Sequence, residues 1–337
     1  LERRSAQAQG LVAALITPFL MGLAPIFGKE AIHAGIDPYT LTAVRTCLAA
    51  LILWVAYGLF WRQYLFIFPA GILGTLVVGA VNGLGSLLYY NGLLLLDNAS
   101  LAQLLNMLYV IFAMMLVRLY GQAVSALSVF RAILALIAVY LLANGIPQIS
   151  SVHWLGVGLL IGSAFTYALH VVLSQRVMYE MPAPTMALYA MTFMGLTVLI
   201  ARLVIGAGTP LPWTPALPVG WVFIGGLTLV TALSRITLFA GVRSLGSVQT
   251  ILLNVVETAA TLLVAFLWLG ERMSPIQWGG VSILMVSVLL ARWDVGQIDV
   301  GAHPLALVGP VANLLSVERE PIFPIRQTIA NLFRKRK

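Results

Sequence analysis

The chain has 337 residues, of which 61% are hydrophobic and 9% charged, with a mean hydropathy of +0.98 and a formal net charge of +8. A soluble domain carries about 25% charged residues, and so few charges cannot cover the surface of a water-soluble fold of this size. The single cysteine, Cys47, excludes a disulfide framework and a cysteine-rich metal site, and the basic residues fall mostly between apolar runs and in the tail, which points to a lipid bilayer and away from nucleic acid.

A membrane-spanning helix needs about 20 mostly apolar residues. Such spans are predicted at 11–32, 39–60, 65–89, 99–119, 126–145, 154–177, 185–206, 219–241, 246–268 and 275–293. The first has no cleavage site and reads as a span rather than a signal peptide. Its Pro18 and Pro25 free backbone hydrogen-bonding groups and predict a bend or hinge. The third holds Gly71, Gly74, Gly79, Gly83 and Gly85, which allow a neighbouring helix to approach closely. The link from the third span to the fourth is the least defined, because Leu93–Leu96 is also apolar.

The fourth and ninth spans echo one another. Leu104-Leu105-Asn106 opens an apolar run that ends at Gly121-Gln122, and Leu252-Leu253-Asn254 opens another that ends at Gly270-Glu271. The offsets are 252 − 104 = 148 and 270 − 121 = 149. A repeated unit of this kind in a very apolar chain marks a transporter built from two halves. The chain divides into an N-terminal cytoplasmic segment (1–10), two five-helix repeats (11–146 and 147–293) and a basic tail (294–337). An odd number of spans per repeat leaves the second copy upside down. The expected fold is an all-α membrane protein of ten transmembrane helices in two inverted five-helix repeats.

Basic residues set the orientation. With the N-terminus inside, the inner ends hold Arg3, Arg4, Arg62, Arg118, Arg176, Arg243 and Arg292, against Lys29, Arg202 and Arg272 outside. This predicts an N-in, C-in protein of the plasma (inner) membrane with a cytoplasmic tail. Within the tail, Ile325–Lys337 reads either as a basic amphipathic helix on an anionic leaflet or as a solubilising coil. Deleting residues 319–337 is expected to leave transport intact.

Gly241-Val-Arg-Ser-Leu-Gly-Ser-Val-Gln-Thr, Leu252-Leu-Asn-Val-Val-Glu257, Leu269-Gly270-Glu271 and Ser274-Pro275-Ile-Gln-Trp-Gly279-Gly280 together resemble the closing part of an EamA repeat of the drug/metabolite transporter superfamily. In the first half Gly121-Gln122 stands in place of the family's Gly-Glu. Thr258 follows Glu257 where the family usually has Pro, which removes the residue expected to kink the span. The resemblance implies a carrier of small organic metabolites, often amino acids or similar compounds, and frequently an exporter. Independently of the family, Gly270 suits the end of a helix, and Ser274-Pro275 suits the start of the next.

Polar groups at membrane depth supply the candidate site. Glu257 is the acidic residue near the middle of a span, and a charge there costs roughly 2.5–3.5 kcal/mol on insertion scales. It shares a helix face with Asn254, Thr258 and Thr261. In the sixth span Ser163, Thr166, Tyr167, His170 and Ser174 recur at spacings of three and four, a stripe that must line a cavity or a helix contact. His170 titrates near neutral pH in water, so it joins Glu257 as a proton-coupling candidate. Asn82, Ser86 and Tyr89 or Tyr90 share one side of the third span. Asn106 and Tyr109 repeat the spacing of Asn254 and Glu257. Tyr90, Tyr109 and Tyr167 either pack against an apolar moiety of the substrate or against one another. Arg235, six residues from the predicted inner end of its span, either snorkels to the headgroups, pairs with Glu257 or binds a substrate carboxylate. Arg45, near the outer face, is expected to snorkel.

The substrate-binding set is therefore Asn82, Tyr90, Asn106, Tyr109, Thr166, Tyr167, His170, Arg235, Asn254 and Glu257, with no metal or cofactor implied. The favoured reading is a secondary carrier with alternating access, whose partners are a small metabolite, the bilayer and a coupling proton; a homodimer is open. A non-transporting scaffold is the alternative. An intramembrane enzyme is disfavoured, because Ser163 and His170 lie two helical turns, roughly 10 Å, apart, and no nucleophile elbow or phosphate-binding loop is present.

Overall fold

The computed structural model describes residues 12, 14–96, 99–120, 124–143, 153–178, 181–205, 218–269, 274–290 and 293. The Gly121-Gln122 and Gly270-Glu271 motifs, Arg3, Arg4, Arg272, Arg292, the N-terminal segment 1–10 and the tail 294–337 lie outside the described residues. Those that are described form helices and their connections, in the order α1 (Ala14–His33), α2 (Pro38–Phe60), a short 3-10 turn (Arg62–Leu65), α3 (Pro69–Leu96), α4 (Ala99–Asn106), α5 (Tyr109–Leu119), α6 (Ala126–Ala143), α7 (Trp154–Val177), α8 (Ala183–Val204), α9 (Pro218–Leu245), α10 (Ser247–Asn254), α11 (Val256–Leu269) and α12 (Pro275–Leu289). Six of these, α1, α2, α3, α7, α8 and α9, are long and apolar enough to cross a membrane. Shorter apolar helices occur at Tyr109–Leu119, Ala126–Ala138 and Trp278–Ser287.

Local chemistry explains the boundaries. Asp37 starts α2 by accepting hydrogen bonds from Tyr39 N and Thr40 N, both at 3.0 Å, with Pro38 in the first turn. Of the bend or hinge expected in α1, the structure shows a one-residue interruption. The helix is interrupted at Leu23 and restarts at Ala24 with Pro25 in its opening turn, where a missing N–H costs nothing. Pro18 lies inside the preceding helical stretch without breaking it. The third span is longer than predicted, because the apolar Leu93–Leu96 continues α3 instead of forming a link.

The two halves match element by element. The starts of α3 and α9 differ by 218 − 69 = 149 residues and their ends by 245 − 96 = 149. The short helices α4 and α10 each have 8 residues and end on Asn106 and Asn254. Packing partners exchange in the same way: α3 packs on α7 and α8, while α9 packs on α1 and α2. α2 packs on α8 and α6 on α12 across the halves.

The α3 glycines seat these contacts. A Cβ at Gly79 would lie 2.6 Å from Ala190 O and 2.7 Å from Phe193 Cβ, so only glycine permits the α3–α8 approach. The outward surface of the helices is apolar, with Leu59, Phe60, Leu203 and Val204 more than half exposed. That surface suits lipid and not water.

Candidate functional site

The fourth and ninth spans are each broken rather than continuous. α4 stops at Asn106 and α5 starts at Tyr109, with a tightened turn in which Leu108 N bonds Leu105 O (3.2 Å) and Val110 N bonds Met107 O (3.1 Å). α10 stops at Asn254 and α11 starts at Val256. Glu257, near the middle of the predicted ninth span, therefore falls just after its break. It lies in the first turn of α11, where the helix dipole favours negative charge. The break forms without proline. The Asn before each break offers a short side chain that competes with backbone helix bonds.

Tyr167 of α7 joins the two breaks. Its ring lies 4.9 Å from the Tyr109 ring at the start of α5, and its hydroxyl accepts a 2.9 Å bond from Asn254 Nδ2 at the end of α10. One turn further on, His170 is fully buried, 5.1 Å ring to ring from Tyr167. Its Nδ1 lies 2.8 Å from Tyr167 O and its Nε2 3.4 Å from Arg235 Nη1. A carbonyl only accepts and a guanidinium only donates. His170 is thus the neutral tautomer with hydrogen on Nδ1, and its Nε2 lone pair receives Arg235. Both ring nitrogens are occupied, so the predicted proton-carrying role has no free nitrogen in this arrangement.

The arginines correct the sequence reading. Arg235 is 7% exposed and lies 245 − 235 = 10 residues from the C-terminal end of α9, too far in to snorkel. Arg45 is 5% exposed and also turns inward. Its Nη1 donates to Thr231 Oγ1 of α9 (3.1 Å), its Nη2 donates to Ser86 Oγ of α3, and its Cζ stands 4.7 Å over the Tyr90 ring. Glu257 is 5% exposed and lies within electrostatic range of Arg235 and of the Tyr90, Tyr109 and Tyr167 hydroxyls. No ion pair closes between Glu257 and Arg235. Gln103 of α4 faces the carboxyl, but its Nε2 remains unpartnered. The Gln103 Oε1 accepts a long 3.4 Å bond from Tyr89.

Eight of the predicted residues therefore gather around or beside the two breaks: Tyr90, Asn106, Tyr109, Tyr167, His170, Arg235, Asn254 and Glu257. Asn106 Oδ1, Tyr109 OH and Asn254 Oδ1 are buried there without a hydrogen-bond partner. Asn82 and Thr166 are not part of the group. Asn82 donates to Met194 Sδ (3.1 Å) on the α3–α8 seam. Thr166 bonds back to Gly162 O and Ser163 O while packing against Gly85 on the α3–α7 seam. Sequence reasoning missed Arg45 and Gln103. Gln103 lies three residues before Asn106, so helical spacing was the available signal. One turn further along α11, Thr261 Oγ1 donates to Gly22 O (2.9 Å) and to Glu257 O (2.9 Å), tying the α1 interruption to the turn that carries Glu257.

Residues 8–144 and 154–293 each match the family model described as the EamA-like transporter family. Among curated proteins none matches. Twenty-eight solved chains match. One, described as "Crystal structure of protein", aligns over 88% of this chain and 99% of its own with a TM-score of 0.67 and 16% identity, a likeness of fold alone.

Proposed function

Because the chain belongs to the EamA-like transporter family, a multi-pass membrane transporter, we propose that it is a secondary carrier that exports small organic metabolites, such as amino acids or related compounds, by alternating access. In this reading α4 with α5 forms one span and α10 with α11 another. Together with α6 and α12 they complete ten spans as two inverted repeats, N-in and C-in, in the plasma (inner) membrane. The observation that carries the reading is the meeting of both broken spans at Tyr167. Broken helices at membrane depth place unsatisfied backbone and short polar side chains where a substrate is received. Rocking one repeat against the other opens this central group to each side in turn.

Roles follow from the chemistry. Tyr90, Tyr109 and Tyr167 contact the apolar part of the substrate. Asn106 and Asn254 offer hydrogen-bonding groups to its polar part. Glu257, at the head of α11, takes a substrate ammonium or the coupling proton, and His170 holds Arg235 in place. The test is Glu257→Gln in proteoliposomes. Transport is expected to stop while the protein remains monodisperse and folded. Unchanged transport at several pH values would remove Glu257 from the mechanism.

A further inference from the structure

Two buried arginines meet one face of α9. Thr231 and Arg235 are four residues apart on α9, hence on one helix face and about 6 Å apart along the axis. Arg45 reaches that face from α2 by donating to Thr231. The two guanidinium groups, of like charge, therefore meet the same buried face of α9. Each has its Nε buried and without a hydrogen-bond partner. The groups that do hold them, Thr231, Ser86, the Tyr90 ring and His170, are all uncharged. His170 is neutral by its hydrogen bonds. Glu257 is the acidic side chain near them among the described residues, and it makes no ion pair with either. Two positive charges against one negative leave an excess of one positive charge in a buried setting. A buried charge is stable only when it is paired.

We infer that this arginine pair is an anion-binding site, and that the transported compound carries one more negative than positive charge. The anionic group, a carboxylate or a phosphate, is received between Arg45 and Arg235, whose planar forks suit either oxyanion. The remainder of the compound lies toward the Tyr90, Tyr109 and Tyr167 rings. This inference rests on the central site proposed above and narrows its substrate class. A zwitterion such as a neutral amino acid would leave the excess charge in place. A net anion removes it.

The experiment uses the full chain in detergent and in proteoliposomes with a matched series: 3-phenylpropionate, phenyl phosphate, phenylalanine, 3-phenylpropanamide and phenethylamine. Melting temperature is read with and without each compound, followed by uptake of those that bind. One or both anions are expected to raise the melting temperature, and which of them does so distinguishes a carboxylate from a phosphate site. The amide and amine are expected to give no shift. Arg45→Gln and Arg235→Gln are expected to weaken anion binding at least tenfold. Arg45→Lys, which keeps the charge, is expected to retain part of it even if a glutamine variant fails to fold. The ligand-free glutamine variants are expected to melt no lower than the unmodified protein, because each removes an uncompensated buried charge. Equal binding of amide and anion, anion binding indifferent to both arginines, or no shift with either anion would overturn the inference. If phenylalanine or the amine is carried and the anions are not, the inference falls and the transporter reading stands. If the anions bind but nothing is carried, the anion site between the arginines stands and the transporter reading falls.

Discussion

Removing one hydroxyl tests the junction of the two broken spans. Tyr167→Phe keeps the ring against Tyr109 and His170 but deletes the acceptor for Asn254 Nδ2, now 2.9 Å away. In water-soluble proteins a buried donor left unpaired costs about 1–3 kcal/mol. Between membrane helices such deletions average about 0.6 kcal/mol and reach about 1.7, because the unfolded chain in the bilayer also finds partners. The upper part of the membrane range applies here. Asn254 Oδ1 is already without a partner, so the side chain would lose its bond to Tyr167 and keep none in its place. The expected loss is about 1–1.5 kcal/mol. Tyr167→Ala also removes two ring contacts of about 0.5–1.5 kcal/mol each and leaves a cavity, for a total of about 3–5 kcal/mol. The assay is equilibrium unfolding in mixed micelles, followed by near-ultraviolet circular dichroism, with Asn254→Leu and the double variant closing a cycle. Coupling of about 0.6 kcal/mol or more is expected. Additivity of Tyr167→Phe and Asn254→Leu within about 0.3 kcal/mol would refute the bond and with it the joining of the breaks.

Gly79→Ala forces a Cβ to within 2.6 Å of Ala190 O and is expected to cost about 1–3 kcal/mol by overpacking, read as a fall in melting temperature. Gly158→Ala, where a Cβ meets nothing within 4 Å, is the neutral control, and a similar fall in both would sink the helix-approach explanation. Asp37→Ala removes the acceptor for Tyr39 N and Thr40 N and is expected to cost about 1 kcal/mol of stability, whereas Asp37→Asn is expected to restore most of it. His170→Leu leaves the Arg235 guanidinium without its acceptor and is expected to lose substrate binding and about 2 kcal/mol of stability. His170→Gln, which can accept but cannot carry a proton near neutral pH, is expected to keep transport and its pH profile. Loss of the pH profile in His170→Gln would return His170 to a proton-carrying role.

Much of the scaffold is written in local chemistry. Asp37-Pro38 announces the start of α2, Pro25 marks the interruption of α1, and the recurring asparagines mark the two breaks. The extent of α3 was less legible. Leu93–Leu96 is apolar, and an apolar stretch near a span end reads equally as helix or as link until its neighbours are known. Here Leu93 and Leu96 are buried in one cluster with Leu160 of α7, and a Cβ at Gly92 would press on the Leu160 side chain. Packing, not hydropathy, extends the helix. The breaks were only half legible for a related reason. Neither turn contains glycine or proline, so the backbone signal is confined to the asparagines.

The candidate site divides along the same line between intrinsic and relational information. Glu257 stands out from sequence because an acid among apolar residues is costly wherever its neighbours lie. Arg45 does not, because a long cation near a span end has an inexpensive escape to the headgroups. Only the acceptors Thr231 and Ser86, on two other helices, turn it inward. The α7 stripe divides in the same way. Periodicity places Ser163, Thr166, Tyr167 and His170 on one face but does not say what opposes each. Gly85 lies against Thr166, and its carbonyl accepts from Ser163, so those two hydroxyls are consumed in a helix seam. Tyr167 and His170 meet Asn254 and Arg235 instead, groups that themselves have bonding capacity left over. A polar side chain in this bundle is structural where its partner is a backbone carbonyl of a tightly packed helix. It belongs to the central site where its partner is another side chain still short of a bond.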